Sequence, residues 1–141
     1  PKGQDAVIDI LNSMTGQSYP KTLREAIARN DKDFLEYRKR IMGMEHLVKY
    51  GGQLRFEDFT YYNDAVAVYS SQLTNHGADL DKIFLMHYIM RENRHLIAGR
   101  VSGYSVTNTH ELIAELFREA LLSYDPSPEA MMLLEAIAAL L

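Results

Sequence analysis

The chain contains no cysteine and no tryptophan. Without thiols, disulfides, thiolate metal sites and cysteine nucleophiles are all excluded, and the composition suits a reducing compartment. No run of eighteen apolar residues is present to cross a bilayer, and no charged-then-apolar leader layout opens the chain. A cytoplasmic protein with no membrane partner is the expectation. Glycine is sparse, with 8 in 141 residues, and forms neither a phosphate-cradling loop with its lysine nor a Gly-x-Ser-x-Gly elbow. The motifs therefore name no cofactor, no metal and no catalytic residue, and a non-enzymatic role is expected.

What is present describes a folded object. Hydrophobic residues make up 47% and charged residues 24%, a balance that supports a core and argues against disorder. A chain of this length suits one domain spanning 1–141. Strand-like alternation barely occurs, whereas helical spacing recurs throughout, so the fold class is all-α: a compact arrangement of six to seven helices.

The helices can be placed from their caps. Val7, Ile8, Leu11 and Met14 repeat along a first helix near 5–14, closed by Gly16. Thr22-Leu-Arg-Glu25 reads as a capping box opening a short helix to about Arg29. Asn30 or Asp31 then caps a long helix carrying Phe34, Leu35, Ile41, Met42, Leu47 and Val48, ended by Gly51-Gly52. A helix from Phe56 to about Asn75 presents Phe59, Val66, Tyr69 and Leu73, with Gly77 at its end. Asp79 caps another that runs through Ile83, Phe84, Met90 and Ile97 to Gly99. Asn108-Thr-His-Glu111 opens a helix with Leu112, Ile113, Leu116, Phe117, Ala120 and Leu121. Asp125-Pro-Ser-Pro128 breaks the chain, with Ser127 as cap and Pro128 at the first helical position. The expected core draws on Leu11, Leu35, Ile41, Leu47, Val66, Leu73, Ile83, Phe84, Ile97, Leu112, Leu116, Phe117 and Leu134.

Charge is segregated in blocks. Residues 20–55 hold nine Lys/Arg against five acids, and 56–81 hold five acids with no base. Residues 82–100 hold four bases against one acid, and 101–141 one base against six acids. Alternating blocks suit neighbouring helices that pair opposite charges. A competing arrangement exposes the basic blocks to an anionic partner. For that alternative, a nucleic-acid-binding role, the candidate residues are His87, Arg91, Arg94, His95, Arg100 and Thr109. His87, Arg91 and His95 fall at i, i+4 and i+8 of one expected helix, and Thr109 opens the next, whose free amides attract anions. The loop between them, Arg100 to Thr109, is rich in hydroxyls that serve equally well as turn residues.

Other motifs are weaker. Glu92-Asn-Arg-His95 has the spacing of a carboxylate–histidine metal pair, but it is single and Arg94 opposes a cation, so a solvent-facing pair is expected. A helix-turn-helix over Thr22–Arg40 fails because Glu25, Arg29 and Glu36 stand where apolar side chains are needed. Nine tyrosines, among them Tyr61, Tyr62, Tyr69 and Tyr88 within helices, suit core edges or protein interfaces.

The most distinctive stretch is the last. From Glu129 to Leu141 eleven of thirteen residues are apolar, so an apolar C-terminal helix needs cover on most sides. One stripe suits its own domain and a second suits another molecule, with Met131, Leu133, Leu134, Ile137 and Leu140 as partner-binding residues. The function read from the sequence is accordingly a protein-interaction module with a protein partner or a homo-oligomer.

Overall fold

The computed structural model describes residues 2–74, 79–101, 109–123, 125, 127–128 and 130–133. Of residues 2, 3, 74, 99, 100, 101, 109, 110 and 116 it describes the backbone alone. Every regular element among them is helical, with no strand. The first helix, α1 (Lys2–Thr15), buries Gln4, Val7, Ile8, Leu11 and Met14, the spacing of one helical face. Asn12 then fixes the returning chain, accepting the Tyr19 N–H at 2.8 Å and donating to the Tyr19 carbonyl at 3.2 Å. The Thr22 hydroxyl caps α2 (Leu23–Ala28) by accepting the Glu25 N–H at 3.1 Å. The Glu25 carboxylate accepts from the Lys21 N–H, one residue outside the reciprocal partner of an ideal capping box. Asp31 caps α3 (Lys32–Met42) through the Phe34 N–H.

The long helix expected over 32–50 is two helices, α3 and α4 (Glu45–Tyr50). Gly43 keeps a helical φ of −65°, so glycine's freedom does not cause the break. The chain leaves the helix at Met44 (φ −96°, ψ 0°), whose side chain is buried in the core. Burying a methionine stabilises by roughly 1.5–3 kcal/mol, enough to offset an interrupted helical ladder. Gly51, at φ +78°, then stops α4 as expected.

A 3-10 turn at Phe56–Asp58 leads into α5 (Phe59–Thr74). Its inward face is Asp64, Ala65, Val68 and Tyr69, while Phe59 and Leu73 of the expected stripe are exposed and Val66 is half-buried. The small Ala65 and Val68 allow close approach to the next helix, which the bulkier stripe would hold away.

That next helix, α6 (Leu80–Glu92), is the centre of the molecule. Asp79 caps it through the Asp81 and Lys82 amides. The Gln4 side chain holds the Asp79 backbone from α1, accepting its N–H and donating to its carbonyl, both at 3.1 Å. Nine consecutive residues, Lys82 to Met90, are buried on every face. They are enclosed by α1, α3, α5, α7 (Arg94–Val101) and α8 (Thr109–Leu122). The helix expected to run unbroken to Gly99 stops at Asn93, whose side-chain amide donates to the Ile89 carbonyl at 2.8 Å and to the Tyr19 hydroxyl at 2.9 Å. With these partners the amide competes with the helical backbone, and α7 starts in a new direction. The two breaks raise the expected six to seven helices to eight among the described residues.

One continuous core results. Leu11, Ile41, Ile83, Phe84, Ile97 and Leu112 lie in it as expected. Leu35 and Leu47 are half-buried, and Phe117 is 38% exposed, on the outer side of α8. The side chains of Leu116 and Leu134 lie outside the described residues. Beyond α8 the Ser127 hydroxyl accepts the Ala130 N–H at 3.1 Å, capping a helical turn through 130–133. Leu133 is fully buried in its own chain's core together with Ala130, so it is not an outward contact residue. The inward stripe is the one through Ala130 and Leu133, and Met131 and Met132 face out. Leu134, Ile137 and Leu140 lie outside the described residues. Among the described residues no helix is long and apolar enough to cross a membrane.

Candidate functional site

Four arginines of the basic blocks pair with the 56–81 acids, while Arg24, Lys32 and Lys39 stand exposed without an ion pair among the described residues. Arg38 meets Asp81 at 2.8 Å, Arg40 meets Asp58 at 3.6 Å, and Arg91 meets Asp64 at 3.4 Å. Arg55 also reaches Asp58, at 2.7 Å, and the buried Lys82 reaches Asp5. Lys21 pairs with Asp9. Thus α3 and α6 spend arginines on the 56–81 block, the arrangement that alternating charge predicts.

The residues of the expected anion stripe separate accordingly. His87 is buried and faces no solvent, so it cannot meet an anionic partner. Arg91 donates to Asp64 and, at 3.0 Å, to the Thr60 carbonyl. The break at Asn93 puts His95 and Arg94 on α7, so the i, i+4, i+8 row does not continue. His95 is exposed and Arg94 half-buried, its Nη1 donating to the Arg91 carbonyl at 3.4 Å. The same break places Glu92 and His95 on different helices, so their spacing no longer sets them on one face. The side chains of Arg100 and Thr109, and residues 102–108 of the hydroxyl-rich loop, lie outside the described residues. Among the described residues no group of histidines and carboxylates is placed to hold a metal ion.

What the fold does bring together is a polar cluster between α3, α5 and α6. Asp33, Glu36, Tyr37 and Arg40 follow one face of α3, and Tyr88, Arg91 and Glu92 follow one face of α6. Tyr61 and Asp64, one turn apart on α5, stand between them. Asp64 is 2% exposed and accepts the Tyr37 hydroxyl at 2.8 Å in addition to Arg91. Burial pushes the Tyr37 hydroxyl far above its ordinary range, and the Asp64 charge and hydrogen bond add to the shift. The guanidinium carbons of Arg91 and Arg40 lie 4.1 Å and 4.5 Å from the Tyr61 ring centre, a cation–π arrangement that leaves each arginine both stacked and ion-paired. His87 lies behind this layer. Burial lowers its pKa, Asp64 opposes the shift, and no group bonds its Nδ1 among the described residues.

The outer side of the cluster opens into a cavity of about 200 Å³ lined by side chains from all three helices. A second cavity of about 530 Å³ continues past Tyr61 and Arg91 to the α6–α7 break. A third, of about 400 Å³, continues past Glu36 and Arg40 to Arg55 and Asp58. The tyrosine rings run inward from the first: Tyr61 to Tyr37 at 6.3 Å, Tyr37 to Tyr88 at 5.4 Å, and Tyr88 to Tyr19 at 6.2 Å. Burial raises the Tyr88 hydroxyl well above its ordinary pKa, helped by the charges of Glu92, Asp31 and Asp33. Sequence spacing reveals each helical face separately, but nothing in it signals that the α3 and α6 faces meet across Tyr61. Comparisons with known protein families, characterised proteins and solved structures find no match to this chain.

Proposed function

We propose that this chain is a protein-interaction module that docks through the apolar surface at the end of α8 and the turn that follows it. The observation that carries this reading is the exposure of large apolar side chains there. Leu121 and Leu122 are 67% and 79% exposed, and Phe117, Met131 and Met132 also stand out into solvent. Each such side chain gains roughly 1.5–3 kcal/mol when fully covered, so a face carrying several favours a second macromolecule over water. The ion pairs of Arg38, Arg40 and Arg91 with Asp81, Asp58 and Asp64 support the same reading, because they withdraw part of the charge a polyanion would need.

Sedimentation across a concentration series tests the reading. The full chain is expected to self-associate, and a Leu121→Glu/Leu122→Glu chain to stay monomeric with unchanged helicity. A full chain that is monomeric throughout, and that cross-links to the same cellular proteins as the double variant, would overturn it.

A further inference from the structure

We propose that the 200 Å³ cavity between α3 and α6 receives the guanidinium group of an arginine side chain from a partner protein. The proposal rests on the interaction reading only in taking its cation from a protein, since the cavity is built separately from the α8 surface. Its rim carries three carboxylates, Asp33, Glu36 and Glu92, and its wall carries the rings of Tyr37, Tyr61 and Tyr88.

Two independent features point to a cationic occupant. The first is charge. Asp33, Glu36 and Glu92 make no ion pair among the described residues. Of the two guanidiniums in the wall, Arg91 is matched by Asp64 and Arg40 shares Asp58 with Arg55, so the three carboxylates outnumber the cationic charge left over. The unmatched charge facing the cavity is therefore negative. The second feature is Tyr88. Only 7% of this residue is exposed, and among the described residues its hydroxyl has no hydrogen-bond partner, although it borders the cavity. The ring is buried but the hydroxyl opens on the cavity, where an entering N–H donor can reach it.

The chemistry favours guanidinium over ammonium. A planar guanidinium stacks on tyrosine faces while its forked N–H groups bond carboxylates on two sides. The chain already uses that geometry, with Arg40 and Arg91 over Tyr61.

The probe is N-acetyl-arginine amide, titrated into the full chain and followed by NMR at the tyrosine rings. Its neutral isostere N-acetyl-citrulline amide serves as control. Saturable shifts at Tyr88, Tyr37 and Tyr61 are expected with the arginine amide alone. Asp33→Asn and Glu92→Gln, both at exposed positions that leave the fold intact, should each weaken binding about tenfold. Equal shifts from arginine and citrulline amides, tighter binding of the lysine amide, or binding unchanged in a chain carrying Asp33→Asn, Glu36→Gln and Glu92→Gln would overturn the proposal. Its failure leaves the α8 association test untouched, and a monomeric chain that still binds the probe leaves the cavity standing while removing the α8 reading.

Discussion

His87 sits inside α6 with an unbonded ring nitrogen, and its burial has a consequence that can be measured. Desolvation lowers its folded-state pKa below the ordinary 6.5, so the unfolded chain binds this proton more readily than the folded one. Stability from His87 is therefore complete above pH 6.5 and is lost as pH falls from there toward the folded value. Asp5 adds a second loss at lower pH. The Lys82 hydrogen bond lowers its pKa from 3.8, so its contribution fades as pH drops below that value. The melting temperature is expected to decline once pH passes below 6.5, and a His87→Phe chain to stay level until carboxylates titrate. A wild-type melting temperature that is flat across this range would remove His87 from the account. At this scale the sequence revealed the ionisable residues and their spacing. It did not reveal which of them were buried, because the α6 row of His87 and Arg91 looks the same whether it faces solvent or Asp64.

Elements were legible where local chemistry ends a helix and misread where burial does. Asp31, Asp79 and Ser127 cap the helices assigned to them, because a side chain bonding its own backbone needs nothing from the rest of the fold. The breaks at Met44 and Asn93 depend on distant partners, the core for one and Tyr19 for the other. Two glycines separate these cases. Gly43 has a helical φ, and an added Cβ would meet only the Arg40 and Lys39 carbonyls at 3.4 and 3.5 Å. Gly43→Ala should therefore be neutral or stabilise by up to about 1 kcal/mol. Gly51, at φ +78° and ψ 178°, occupies a region that other residues avoid, so Gly51→Ala should cost about 1–3 kcal/mol. Urea unfolding of both variants checks the contrast, and a Gly43→Ala loss as large as that of Gly51→Ala would mean that glycine itself makes the first break.

For the molecule as a whole, stability concentrates around α6. Leu85 is fully buried there, and Leu85→Ala should cost about 2–5 kcal/mol. Leu73, counted in the core from its spacing, is 63% exposed, and Leu73→Ala should shift stability by no more than about 0.5 kcal/mol. Equilibrium unfolding of the two chains decides between the expected stripe and the observed one; equal losses would contradict the placement of α5. The enclosed helix was itself readable in part. Ile83-Phe84-Leu85-Met86 and Tyr88-Ile89-Met90 are apolar on all sides, yet Lys82 and His87 disguise the run.

Taken alone, the sequence determined the all-α class, most helix starts and the glycine stop at Gly51. Each of these follows from neighbours along one chain segment, whereas the charge blocks left open whether they pair internally or face a partner. Tertiary structure alone decided that α6 is the centre, that Met44 and Asn93 interrupt helices, and that Tyr61 stands between Arg40 and Arg91. It also joined Asp33, Glu36 and Glu92 around one cavity. The physical reason is that periodicity shows which residues share a helical face but leaves open which face meets which. That choice is made by the fit of Ala65, Val68 and the α6 side chains in three dimensions.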